Sequence, residues 1–180
     1  MNSLNATRRF SRRLRLLMEA LLVLYPLSWL GVWAAYNHFP MAWREAMMRQ
    51  TAWLPPRLTW DTIGLLYVAG LPRFLVALGI LFCLRQLFRL YEAGDFFERA
   101  NVVLYRRLGT LFLVGVLASV LSDTLGSVAL TLHNPPGQRM LTVGLSSDHL
   151  QLLFLGLIAM ALGRVMEQGR LLQDEAKLTV

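Results

Sequence analysis

The sequence predicts an all-α integral membrane protein: a four-helix transmembrane bundle, with a short interfacial helix and a small β-hairpin on the outer side. Three observations carry that expectation. The 180 residues are 56% hydrophobic and only 16% charged, whereas a soluble domain carries about 25% charged residues. The apolar residues gather in four runs, each close to the length of about 20 residues that crosses a bilayer core. The 18 Lys and Arg residues fall unevenly between those runs. This composition excludes a disordered chain and argues against a water-soluble globule. A lone cysteine excludes a disulfide framework and any multi-cysteine metal knuckle.

The first span covers residues 16–36, interrupted only by Glu19. Its basic start and Val32-Trp33-Ala34 have features of a cleavable signal. The apolar run is too long for one, and three more follow. Thr7-Arg8-Arg9 and Ser11-Arg12-Arg13 look like a twin-arginine signal, although charge that sets topology accounts for them as well. Residues 37–62 make the first outer loop. Within it Trp43, Ala46, Met47, Gln50 and Leu54 share one helical face, which predicts a helix lying in the interface and ended by Pro55-Pro56. All five tryptophans stand in this half of the chain, at the depth that suits an amphipathic ring.

The second span covers 64–88, with Leu71-Pro72 as a point where it can kink. Arg73 lies twelve residues before Arg85, about 18 Å at 1.5 Å per residue, and so at mid-depth. An arginine there must snorkel, find a carboxylate or line a pathway. The second and third spans continue past the membrane as a helical hairpin with its turn at 89–107. Leu84, Leu87, Phe88 and Tyr91 form an i, i+3, i+4, i+7 stripe. Gly94 can close the first helix in the left-handed conformation. Asp95 and Glu98 then have the spacing of a capping box. The third span is 108–130, where Gly115, Ser119, Ser122 and Gly126 line one side. Residues 128–145, VALTLH and QRMLTVGL about NPPG, predict the outer β-hairpin. Ser146 or Ser147 can cap the fourth span, 150–166, and Asp148 favours its positive end. Gly156, Ala159 and Gly163 offer that span a close-packing face. Residues 167–180 are the tail, and the whole of 1–180 is one membrane domain.

Thirteen basic residues stand before span one, in the last turn of span two or the loop after it, or from the last turn of span four onward. Four, at Arg44, Arg49, Arg57 and Arg139, stand in the other two loops. The positive-inside rule therefore places both termini and the middle loop in the cytoplasm. The basic residues flank spans and show no base-reading motif, so nucleic acid is not an expected partner.

Three intramembrane polar residues are candidates for an ion pair or a functional group: Glu19, Arg73 and Asp123. Glu19 can be met by Arg15 four residues back, or by Arg85 or Arg164. Asp123 can pair with Arg73 or the outer hairpin. His133, His149, Asp123 and Asp148 share the outer side, but no two histidines have metal-site spacing. Cys83 reads as a buried hydrophobe. There is no P-loop, dinucleotide fingerprint or G-x-S-x-G elbow, and no cofactor is expected.

The segment LRQLFRLYEAGDFFERANVVLYRRLG resembles the pattern L-x-x-L-F-x-x-Y-x-x-G-x-x-F-x-x-x-N-x-x-x-L-R-x-x-G of a bacterial four-span family, domain of unknown function 2975. SDTLGSVALTLHNPPGQR and IAMALGRVMEQGRLLQDEAKLTV are further matches, and the likeness covers roughly residues 60–180. It implies four spans with cytoplasmic ends and supplies no catalytic residues. The matching positions Tyr91, Gly94, Phe97, Asn101 and Gly109 read as turn and packing residues.

These readings point to a non-enzymatic regulatory protein that binds a cytoplasmic partner. Its candidate contact surfaces are the turn (Tyr91, Gly94, Asp95, Glu98 and Asn101) and the end of the tail (Leu178, Thr179 and Val180). A small oligomeric transporter or channel is the alternative, and a homo-oligomer is compatible with either. An intramembrane enzyme using the outer His/Asp group is a third expectation.

Overall fold

The computed structural model describes residues 2–51, 54–96 and 98–178. The described chain forms α1 (Asn2–Ala35), a 3-10 turn (Tyr36–His38), α2 (Met41–Gln50), α3 (Trp60–Ala93), α4 (Arg99–Thr131) and α5 (Ser147–Leu178). Four of these helices are long and apolar enough to cross a membrane. α1 and α3 have 34 residues each, which at 1.5 Å per residue is about 50 Å. A hydrocarbon core is about 30 Å thick, so both helices project well beyond it. Large apolar side chains stand bare along every long helix, Val23 at 61%, Leu75 at 61%, Leu117 at 71% and Val165 at 61% among them. Surface of that kind is at rest only in lipid, and the chain is a multi-pass membrane protein.

The long helices pack in the spatial order α1, α3, α4, α5, each against its neighbour. α1 and α5 make no comparable contact with each other. Both lean on the α3–α4 pair and leave a cleft between them. The end of the array where α3 turns into α4 is the turn end, and the opposite end is the loop end. Each end has its own apolar cluster. Cys83, Leu87, Leu104, Leu108 and Ala159 fill the turn end. Tyr36, Leu54, Leu58, Ile63, Leu66 and Ala129 fill the loop end. Between them α4 buries only small residues: Gly115, Ala118, Ser119 and Ser122.

The small-residue faces are used within the chain. A Cβ on Gly109 would run into Met160 and lie 3.2 Å from the Gly156 carbonyl oxygen. One on Gly156 would lie 3.1 Å from Leu113, and one on Gly163 3.3 Å from Tyr105. These glycines let α4 and α5 approach and gain dispersion contacts, the main attraction available between helices in lipid. Gly126 meets nothing within 4 Å and faces the cleft.

The structure corrects three expectations. No β-strand forms among the described residues, so there is no hairpin at 128–145. α4 continues through Thr131, taking Val128-Ala129-Leu130-Thr131 with it. The returning segment spends its amides on α4 hydroxyls instead of a second strand. Met140 N–H donates to Thr131 Oγ1 at 3.1 Å, and Thr142 N–H to Ser127 Oγ at 3.0 Å. The second correction concerns α2, a helix that ends at Gln50, well before Pro55-Pro56. Its apolar residues do not share one fate: Met47 and Met48 pack on the loop-end cluster, while Trp43 is 67% exposed.

The third is the capping box. α4 starts at Arg99, with Glu98 at the capping position and no side-chain hydrogen bond. Phe96 stacks on Tyr91 at 5.5 Å, folding the connection back on α3 before α4 can begin. Gly94 does what was expected of it. Its φ is 96°, and the Gly94 and Asp95 amides both donate to the Leu90 carbonyl, closing α3.

Candidate functional site

Both ends of the array carry a charged cluster, and the expected intramembrane residues are divided between them. At the turn end Glu19 accepts from Arg15 at 2.9 Å and from Arg85 at 3.0 Å. Arg15 also reaches Glu92 at 2.7 Å, and Arg12 approaches Glu92 at 4.0 Å. Arg8 donates to the Ala93 carbonyl at 3.3 Å, helping to close α3. Two carboxylates and four arginines thus clamp α1 to α3. Of the partners open to Glu19, Arg15 and Arg85 are used. Glu92 was not anticipated; its one signal is its spacing from Arg85, two helical turns on.

The turn itself is built from inside. Asn101 is fully buried and its Nδ2 donates to the Asp95 carbonyl at 2.5 Å. Tyr91 and Tyr105 share a hydroxyl hydrogen bond of 2.9 Å between α3 and α4. Of the expected contact residues, Glu98 is exposed, Tyr91, Gly94 and Asp95 are half-buried, and Asn101 is internal. At the tail, Leu178 ends α5, while Thr179 and Val180 lie outside the described residues, as does Phe97 of the turn.

The second cluster sits toward the loop end. Arg73 Nη1 lies 3.5 Å from Asp123 Oδ1, joining α3 to α4. Pro72 interrupts the amide ladder beside it, and the Arg73 N–H reaches Ser122 Oγ at 3.3 Å. His149, at the start of α5, is 3% exposed, and its Nε2 stands 3.5 Å from Asp123 Oδ2 without meeting it in a hydrogen bond. The other ring nitrogen is committed. Ser146 N–H and Ser146 Oγ both lie 2.8 Å from Nδ1. A backbone amide can only donate, so Nδ1 is the bare nitrogen and a neutral ring carries its proton on Nε2, facing Asp123. Ser146 precedes α5 in the capping position, and His149 fills the role a glutamate plays in a capping box. The sequence offered Ser146 or Ser147 as a cap; it gave no sign that His149 would accept the Ser146 amide.

This cluster opens into the cleft between α1 and α5, which has a volume of about 700 Å³. One wall is aromatic. Trp29 stacks on Phe74 at 4.2 Å and Tyr25 on the same ring at 5.4 Å. Tyr67 hydroxyl donates to the Leu30 carbonyl, fixing α1 against α3. The opposite wall is polar, with Arg73, Asp123, Ser146 and Asp148. A smaller recess of about 370 Å³ continues along Arg73 toward Gly115 and Ser119. Apolar walls with a few convergent polar groups are the features of a small-molecule site. Among the described residues no three His, Cys, Asp or Glu side chains gather as a metal site, and His133 stands apart from His149 and Asp123.

A family model described as "Protein of unknown function (DUF2975)" matches residues 16–180. No similar curated protein and no similar solved structure was found.

Proposed function

The chain belongs to the family described as Protein of unknown function (DUF2975), and from that premise we propose that it is a non-enzymatic regulatory protein of the bacterial inner membrane. In this reading the turn end and both termini are cytoplasmic, as the arginine bias requires. A small ligand enters the loop-end cleft, and a protein partner is bound on the cytoplasmic face.

The observation that carries this reading is the Arg73–Asp123 pair, which lines a cleft of about 700 Å³ with the buried His149 behind it. Charged groups at such depth are costly unless paired. This pair is also placed on the two helices that form the cytoplasmic turn. Arg73 belongs to α3, which enters the turn, and Asp123 to α4, which leaves it. A ligand that competes for either side chain changes how α3 and α4 are held together. The Tyr91–Tyr105 bond lies on the same helix pair, next to the exposed residues Glu98 and Arg99.

A photo-crosslinking amino acid at Glu98 or Arg99 tests the proposal in cells. A single dominant protein adduct is expected, with a yield that changes severalfold in Asp123→Asn. Absence of any adduct, or one indifferent to both Asp123→Asn and Arg73→Ala, overturns it. The open side of the array favours a second reading, a small oligomeric transporter. Solute flux in liposomes that falls in Asp123→Asn would put that reading in its place.

A further inference from the structure

A second groove, of about 730 Å³, runs between α3 and α4 at the turn end. Its floor is apolar, from Leu90, Val103 and Leu104, and Arg89, Arg99 and Arg107 stand around it. No hydrogen bond or ion pair to another described residue engages any of these three arginines, whereas Arg8, Arg12, Arg15 and Arg85 beside them are all engaged. The single acidic residue on the groove is Asp95. The groove therefore carries an excess of two positive charges over an apolar floor.

Its α3 wall lies at the depth of lipid headgroups. The apolar run of α3 ends at Phe88, and Ala93 lies five residues on, about 7 Å along the axis. The headgroup layer is about 5–7 Å thick on each side of the core. The α4 end of the groove adds a third attraction. Arg99 and Ala100 belong to the first turn of α4, which has no side-chain cap and no acidic residue. The Asn101 amide is taken by the Glu98 carbonyl, and the Arg99 and Ala100 amides, with the positive end of the dipole, are left for an anion.

We propose that this groove binds an anionic phospholipid, with the phosphate held by Arg89, Arg99 and Arg107 and an acyl chain lying along Val103 and Leu104. Guanidinium forks match phosphate oxygens, and basic pockets between spans at headgroup depth are suited to such lipids. The apolar floor selects a lipid over a free phosphate. The site requires only that these helices span a bilayer, so it does not depend on the loop-end cleft or on a protein partner.

The test is native mass spectrometry of the full chain in detergent, titrated with phosphatidylglycerol or phosphatidylcholine. Phosphatidylglycerol adducts are expected at a concentration at least tenfold lower. Each arginine near a phosphate contributes several-fold in affinity, so R89Q/R99Q/R107Q should weaken phosphatidylglycerol binding roughly a hundredfold. Phosphatidylcholine, whose phosphate is offset by its own ammonium, should lose severalfold at most. R13Q/R106Q/R164Q removes equal charge outside the groove and should change little. Val103→Trp fills the floor and should weaken the lipid while leaving all arginines present. Equal losses from the two triple variants, or displacement of the lipid by millimolar inorganic phosphate, would overturn the proposal. Flux or crosslinking results leave it standing, so its failure is distinct from failure of the proposed function.

Discussion

Asp123 shows how much a single side chain can join. Its two oxygens face different helices, Arg73 on α3 and His149 on α5. Both members of the Arg73 pair are about half exposed toward the cleft, 49% and 52%, so water or a ligand can screen them. A double-mutant cycle on Arg73→Ala and Asp123→Asn should give a coupling of about 0.2–1 kcal/mol, read from unfolding in mixed micelles. Additive losses would mean that the pair is not formed. Gly94 makes a different kind of residue-scale claim. At φ 96° an alanine is strained, and Gly94→Ala should cost about 1 kcal/mol, with Gly94→Asn costing less. The guanidinium of Arg8 would stand 2.7 Å from the new Cβ, but a long side chain can move aside, so backbone strain dominates. Equal melting temperatures for the wild type and Gly94→Ala would contradict the assignment. The pairing of Glu19 with Arg15 and Arg85, and of Arg73 with Asp123, was legible in sequence because an intramembrane charge must find a counterion. The orientation of His149 was not, because it depends on one amide at the start of α5 and on where α4 places Asp123.

Helices α4 and α5 are held by glycine contact, which makes their packing intolerant of volume. Gly109→Val would press a side chain against the backbone of Gly156 and Met160, where no rotamer gives relief. We expect a loss of about 1–3 kcal/mol, measured by thermal unfolding in detergent. Gly126→Ala is the matched comparison: it lies on the same helix in open space and should be neutral or slightly stabilising. A reversal of that order would sink this account of the α4–α5 seam. The helical elements were readable from apolar run length, and the close-packing faces from small residues at helical spacing. The hairpin was misread because Val128 to Thr131 suits a strand as well as a membrane helix. Only the continuation of α4, with Ser127 and Thr131 receiving the amides of 142 and 140, decides between them. The Asp95–Glu98 spacing misled for a similar reason. Stacking of Phe96 on Tyr91 is a tertiary contact that local capping patterns do not contain.

The whole molecule is a four-span array with a gap between its first and last spans. Its threading is tested by reporter fusions at positions 50, 95, 138 and the last residue, which should alternate out, in, out, in. Two adjacent positions on one side would refute it. The four long apolar helices were legible from composition, while the open side was not. Nothing in a linear pattern says that α1 rests chiefly on α3 and stands off from α5. That arrangement bears on how the chain is made. When the first helix leaves the translocon, α3 has yet to be synthesised, and Glu19 would enter lipid without Arg85. Arg15, one turn back on the same helix and 2.9 Å away, is already there to neutralise it. The nascent segment therefore carries its own escort, and the later arrival of α3 turns a temporary local pair into a permanent tether.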